Sequence, residues 1–260
     1  MGARVAAVAA VAASLLAGRA GAADLGLTTG VGYSTGSYGA SRPTDTVLVP
    51  LTARLRAGRW TFTASTEWIS VDGPGEIGAG LAAAGRAGKR DKQGFTDSNV
   101  SARYSFDHLG GTPAYLDVRA KVRFPTASDR SLGQGGMGYI ADAELGADWR
   151  KAGAYFDLGR RFMADSGRVD RSDIWAYAVG GWARYDRRTE LGLWYNAHGS
   201  ATGTTDGSRR IGAYVSRDLA SAWRAEITLY EGLTPSSPDF GGNIRFSWRP
   251  GNDFRRRPFD

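Results

Sequence analysis

Ala114-Tyr115-Leu116-Asp117-Val118-Arg119-Ala120-Lys121-Val122-Arg123-Phe124 divides its chemistry by parity. Ala114, Leu116, Val118, Ala120, Val122 and Phe124 take one side; Tyr115, Asp117, Arg119, Lys121 and Arg123 take the other. A helix would spread those charges around its circumference. On a strand, successive side chains point to opposite faces, so the apolar and charged sets separate. Residues 47–55 repeat the pattern, with Val47, Val49, Leu51, Ala53 and Leu55 opposed to Thr46, Thr52 and Arg54.

Reading outward with the same period gives about twelve strands, near 25–34, 45–57, 59–71, 96–107, 113–124, 138–150, 152–163, 173–186, 189–199, 209–218, 222–231 and 240–249. Their connections alternate in length. Short ones fall at Ala57-Gly58, His108–Thr112, Lys151-Ala152, Arg187-Arg188 and Leu219–Ala222. Long ones fall at Thr35–Thr44, Asp72–Gly94, Pro125–Met137, Ala164–Asp173, Ser200–Ser208 and Gly232–Asp239. A soluble sandwich has no reason to sort its loops this way. An up-and-down antiparallel barrel in the outer membrane does, with tight turns on the periplasmic side and long loops outside. The expected fold is therefore all-β, a transmembrane barrel of about twelve strands over residues 24–249. Pro50 cannot donate to a ladder, so a bulge or bend is expected there.

Composition agrees. The 260 residues include 37 glycines, no cysteine and two histidines, and carry a formal charge of +7. Disulfide and zinc–thiolate scaffolds need cysteine, and two histidines leave little for a histidine-rich metal site. Mean hydropathy is −0.33. Beyond the N-terminus no apolar run reaches the roughly 18 residues of a membrane helix. Residues 1–23 read as an export signal: Arg4, an apolar stretch from Val5 to Ala17, then the small residues Ala20-Gly21-Ala22-Ala23. Residues 250–260 form a basic tail.

Aromatic residues fall at two levels. Trp60, Trp149, Tyr185, Trp223 and Trp248 sit at the short-turn ends of their strands; Tyr33, Trp68, Tyr139, Trp175, Tyr177 and Phe240 sit at the long-loop ends. Amphipathic rings settle at both membrane–water interfaces, and girdles of this kind are a mark of such barrels.

The inward parity is heavily charged. Basic residues there are Arg54, Arg103, Arg119, Lys121, Arg123, Arg161, Arg184, Arg210, Arg224 and Arg245; acidic ones are Glu67, Asp107, Asp117, Asp142, Glu144, Asp148, Asp157, Glu190, Asp218 and Glu226. The expected pore-lining set is Arg103, Asp117, Arg119, Lys121, Arg123, Asp142, Glu144, Asp148, Glu226 and Arg245. Within it, Arg119, Lys121 and Arg123 form a basic stripe, opposed along the next strand by Asp142, Glu144 and Asp148. Two readings stay open: a wet, selective pore, or a closed structural barrel whose lumen is filled by salt bridges. The excess positive charge is expected outside the lumen, in Arg86, Lys89, Arg90, Lys92, Arg168, Arg171 and Arg255–Arg257. On outer loops these residues would meet lipopolysaccharide phosphates. Nucleic-acid binding lacks a clustered basic helix and sits badly with an export signal.

Several short motifs occur in an order that resembles the outer-membrane transporter family named after the MetA pathway of phenol degradation. They are Tyr33-Ser34-Thr35-Gly36-Ser37-Tyr38-Gly39, Val49-Pro50-Leu51, Gly58-Arg59-Trp60, Val71-Asp72-Gly73-Pro74-Gly75, Arg123-Phe124-Pro125-Thr126, Leu132-Gly133-Gln134-Gly135 and Gly232-Leu233-Thr234-Pro235-Ser236-Ser237-Pro238-Asp239. Gly94-Phe95-Thr96-Asp97 stands where the family has a Gly-Leu-Gly-Asp type turn. The resemblance implies a barrel that passes small solutes, small aromatic or hydrophobic compounds among them, and implies no cofactor.

One constellation points elsewhere. His198-Gly199-Ser200 has the His-x-Ser spacing of outer-membrane lipid hydrolases, in which a histidine takes the proton of an attacking serine. Here both residues fall at a strand end on the inward face, whereas those enzymes need the pair facing lipid. No phosphate loop or dinucleotide fingerprint is supported, and the glycine-rich stretches read as turns. A non-enzymatic barrel is the expectation, with outer-membrane lipid and a small solute as its partners.

Overall fold

The computed structural model describes residues 24–74, 76–78, 81–83, 92–129, 131–162, 172–200 and 207–250. The expected signal segment and the tail beyond residue 250 lie outside that set, as do Arg86, Lys89, Arg90, Arg168, Arg171 and Arg255–Arg257.

Twelve antiparallel staves close on themselves. In chain order they are β1 (Asp24–Gly36), β2 (Thr44–Ala57), β3 (Trp60–Asp72), β4 in two pieces (Lys92–Phe95 and Ser98–Phe106), β5 (Ala114–Phe124) and β6 (Gly138–Asp148). Then come β7 (Ala152–Phe162), β8 (Ile174–Arg184), β9 (Thr189–His198), β10 (Ser208–Ala220), β11 (Trp223–Gly232) and β12 (Phe240–Trp248). Each stave pairs with its neighbours in sequence, and β1 pairs with β12 from Leu27↔Trp248 to Thr35↔Phe240. Closure leaves no sheet edge, so every strand has a partner on both sides without water's help. An eleven-residue stave such as β5, tilted about 45°, rises about 25 Å, enough for the apolar band of a membrane barrel.

Polarity is inverted relative to a soluble protein. Among the described residues 32 large apolar side chains are exposed, whereas the buried set holds sixteen polar or charged residues and eight hydrophobic ones. A contiguous apolar exterior of that extent far exceeds the few hundred Å² that a soluble monomer carries, and it fits acyl chains. Both girdles are present. Trp60, Trp149, Tyr185 and Trp223 are exposed at the short-turn rim, where Trp60, Tyr104 and Phe106 pack edge to face. Tyr33, Phe95, Tyr139, Phe162, Trp175, Tyr177 and Phe240 are exposed at the loop rim.

Three expectations need correction. Pro50 causes no bulge: the β1–β2 ladder skips Gly30 and Val31 opposite it but resumes at Gly32↔Leu48 in the same register, and β2–β3 pairing passes straight through Pro50↔Glu67. The missing N–H costs rungs on one side only. Irregularity falls instead in β10, where Leu219 is skipped between Asp218↔Arg224 and Ala220↔Trp223, and in β4, where Trp68↔Phe95 and Ser65↔Asn99 require four residues of β4 to oppose three of β3. That extra residue buries Thr96, Asp97 and Ser98 in succession. Lys92 belongs to β4 opposite Val71 on the inward face, not to an outer loop. Asp107 lies in the exposed turn between β4 and β5 rather than on the lumen wall.

Candidate functional site: the lumen

Inward parity places Arg103, Asp117, Arg119, Lys121, Arg123, Asp142, Glu144, Asp148, Glu226 and Arg245 inside the barrel, on β4, β5, β6, β11 and β12. Register then decides who meets whom. Arg119 stands directly opposite Asp142, with Nε 2.9 Å from Oδ1 and 3.0 Å from Oδ2. Arg103 reaches Asp117 at 3.5 Å, and Asp117 is 2% exposed. Arg224 pairs with Asp218 at 2.7 Å, Arg184 with Glu190 at 3.9 Å, and Arg245 with Glu226.

The basic stripe does not face a matching acidic one. Glu144 is opposite Asp117, where it accepts the Tyr115 hydroxyl at 2.7 Å, and Asp148 lies opposite Gly153 towards the short turns. Lys121 stands opposite Ile140, and Arg123 opposite Gly138. Arg123 turns instead towards Asp97 on β4, 4.0 Å away.

Asp97 organises the loop rim. Its Oδ1 accepts the Ala127 amide at 3.2 Å and its Oδ2 the Gln134 amide at 2.8 Å, so one carboxylate ties both ends of an inward-folded segment in the β5–β6 connection. Ser128 adds a two-way clasp to the Phe95 backbone, with its amide and hydroxyl donating to Phe95 O and its Oγ accepting from Phe95 N. Leu132, 1% exposed, is thereby carried into the barrel mouth against Ile69 and Val71, with Leu48 and Ala127 around them. In the β1–β2 connection Tyr38, in a left-handed turn with φ 47°, packs against Gly36, and burial pushes the pKa of its hydroxyl up to about 12.

A second pattern covers the wall. Tyr115, Gly146, Tyr155, Gly180, Trp194, Gly212, Tyr230 and Gly241 form one unbroken row of inward neighbours from β5 to β12. Each ring leans over the glycine of the next strand. A Cβ on Gly146, Gly180 or Gly212 would come within 2.5 Å of the ring. Trp182 over Gly153 and Tyr214 over Gly192 make a shorter second row. Laid flat on the wall, these rings fill space without crossing the bore.

What remains accessible is charge. Within the lumen the side chains of Arg119 and Arg245 are 38% and 40% exposed, although both hold carboxylates. β5 and β12 lie five strands apart one way round the barrel and seven the other, so the two guanidiniums approach from nearly opposite walls.

His198 ends β9, its Nδ1 lies 3.0 Å from the Gly199 carbonyl oxygen, and Ser200 lies past the end of the pairing. Among the described residues no group of three His, Asp or Glu side chains is placed to hold a metal ion. The Asp97 tether and the ring-over-glycine rows were not expected from the sequence. The first hides in a bulge; the second leaves a readable trace, in that Gly146, Gly180, Gly212 and Gly241 all occur on inward parity.

No protein-family model matches the chain, and no curated protein matches it in sequence. Solved structures do. An outer-membrane channel from Pseudomonas putida F1 is similar with a TM-score of 0.67 at 14% identity, over 87% of this chain and 95% of that one. The porin KdgM, solved in complex with disordered oligogalacturonate, is similar with a TM-score of 0.50 at 8% identity, over 86% of this chain and 98% of that one. The chain has the fold of these outer-membrane barrels.

Proposed function

We propose that the chain is a passive channel of the bacterial outer membrane, exported by its N-terminal segment, that passes small solutes between Arg119 and Arg245. The exposure of those two guanidiniums carries the reading. In a lumen filled by salt bridges, inward arginines at mid-strand would be as buried as Asp117; instead both keep over a third of their side-chain surface for water. The flat rings on the wall support it by keeping bulk off the axis. Likeness of fold to an outer-membrane channel is consistent with the same role. Small aromatic compounds, implied by the family resemblance, are the first solutes to try. Lipid on the apolar band, and lipopolysaccharide at the loop rim, are the proposed surroundings.

The test is single-channel recording of the refolded full chain in planar bilayers. Discrete conductance steps are expected, and Arg119→Ala with Arg123→Ala should change them. Silence at every voltage would overturn the channel and favour a structural barrel stopped by the Leu132, Ile69 and Val71 cluster. Ester hydrolysis by wild type that disappears in Ser200→Ala would instead make the barrel an enzyme.

A further inference from the structure

Above the Arg119–Asp142 pair, one rung runs across four strands: Lys121 on β5, Ile140 on β6, Arg161 on β7 and Ile174 on β8. Cation and isoleucine alternate along it. Arg103, Arg119, Arg123, Arg184, Arg224 and Arg245 lean on carboxylates, but Lys121 and Arg161 form no ion pair or hydrogen bond with another described residue. The carboxylate that both feel, Asp142, is already held by Arg119, and Arg161 feels one more, Asp157 on its own strand, without an ion pair to it. Two strand spacings separate their backbones, about 10 Å, which two long side chains close easily. Lys121, Ile140 and Arg161 all stay partly exposed to the lumen. A third cation, Arg210 on β10, is near enough to repel Arg161; it is held by the Asn196 side chain at 3.3 Å and lies 5.6 Å over the Tyr230 ring.

Concentrating like charges on one stretch of wall is costly unless something anionic neutralises them. An apolar side chain set between two cations selects further, since it gives a hydrated inorganic ion nothing to bury.

We infer that Lys121, Ile140 and Arg161, with Arg210 beyond them, form a binding site for a small organic carboxylate with an apolar body, held as it passes the loop-side half of the lumen. The carboxylate takes the hydrogens of Lys121 Nζ and the Arg161 guanidinium; the body covers Ile140. This rests on the channel reading and names its solute class.

The test is calorimetric titration of the full chain in detergent at low salt with sodium benzoate, neutral benzamide and sodium phosphate. Benzoate should bind one to one, and benzamide at least tenfold more weakly. Loss of one charge-assisted contact in Lys121→Gln or Arg161→Gln should weaken benzoate roughly tenfold. Neither variant breaks an ion pair, so folding is kept; the wild-type comparison of benzoate with benzamide needs no variant at all. Ile140→Ser should weaken benzoate and leave phosphate unchanged. Equal binding of benzoate and benzamide, or an unaltered Lys121→Gln, would overturn the site, and phosphate binding as tightly as benzoate would overturn the part given to Ile140. Failures separate cleanly. A bilayer that conducts without benzoate binding condemns the site alone; benzoate binding in a barrel that never conducts condemns the channel.

Discussion

The Gln134 amide donates to Asp97 Oδ2 at 2.8 Å across the mouth of the barrel, joining a loop to a strand bulge 37 positions earlier in the chain. The same carboxylate holds the Ala127 amide and faces Arg123, so it restrains the loop at two points while sitting 1% exposed. Asp97→Ala removes the acceptor for both amides. Hydrogen bonds to a charged group contribute about 1.5–3 kcal/mol each. We expect a loss of stability on the order of 2–4 kcal/mol, together with noisier and larger conductance steps as Leu132 leaves the mouth. Urea unfolding and single-channel recording check the two parts separately. Unchanged noise with lowered stability would show that the loop keeps its place without its tether.

The ring-over-glycine rows make a different demand. A Cβ at Gly192 would overlap the Tyr214 ring, which is 4% exposed and whose hydroxyl donates to Glu190 at 3.1 Å. Overpacking of this kind costs about 1–3 kcal/mol. Gly192→Ala should therefore destabilise by that amount, and Tyr214→Ala should remove most of the penalty when the two are combined. A double-mutant cycle read by urea unfolding measures the coupling. Additive losses would mean that the ring and the glycine do not share the space.

These two features mark how far the sequence carries. Alternation of the kind seen at 114–124, repeated along the chain, suffices for twelve staves, because a period of two with one face in lipid leaves each strand a single orientation. Parity likewise places Arg119 and Arg245 inside. Partnership is another matter, since it depends on register: Glu144 and Asp148 have the right parity to face the basic stripe, yet sit too far towards the short turns. Asp97 is harder still. A bulge adds one residue and resets parity locally, so Gly94-Phe95-Thr96-Asp97 reads as a turn although it is a stave with an irregularity. The glycines opposite aromatic rings read as weak strand positions until the facing strand is known.

Depth in the membrane gives a third expectation. Leu193 is 67% exposed near the middle of β9, whereas Leu219, 53% exposed, is at the short-turn end of β10. An arginine facing lipid costs about 2–4 kcal/mol at the midplane and about 0–1 near the interface. Leu193→Arg should thus lower unfolding free energy in phospholipid bilayers by several times more than Leu219→Arg. Equal effects would place the apolar band elsewhere. An absence of any effect in both would remove the argument that this exterior meets lipid.

Arg119 and Asp142 test whether the lumen's pairs act as wall or as ornament. Asp142 is 7% exposed while its partner is 38% exposed, so the pair straddles the boundary between wall and water. Removing one member of a buried pair costs about 3–5 kcal/mol because the other stays charged and desolvated; an exposed pair contributes about 0–1 kcal/mol. Half in water, Arg119→Ala should cost an intermediate amount, on the order of 1–3 kcal/mol, and Asp142→Ala somewhat less, since the guanidinium left behind can turn to solvent. The double variant should recover part of the larger loss, as seen in a cycle measured by urea unfolding. The asymmetry is the informative quantity. If both single variants lost the same, Arg119 would be as enclosed as Asp142, and the lumen would have no water at the one place where a solute must pass.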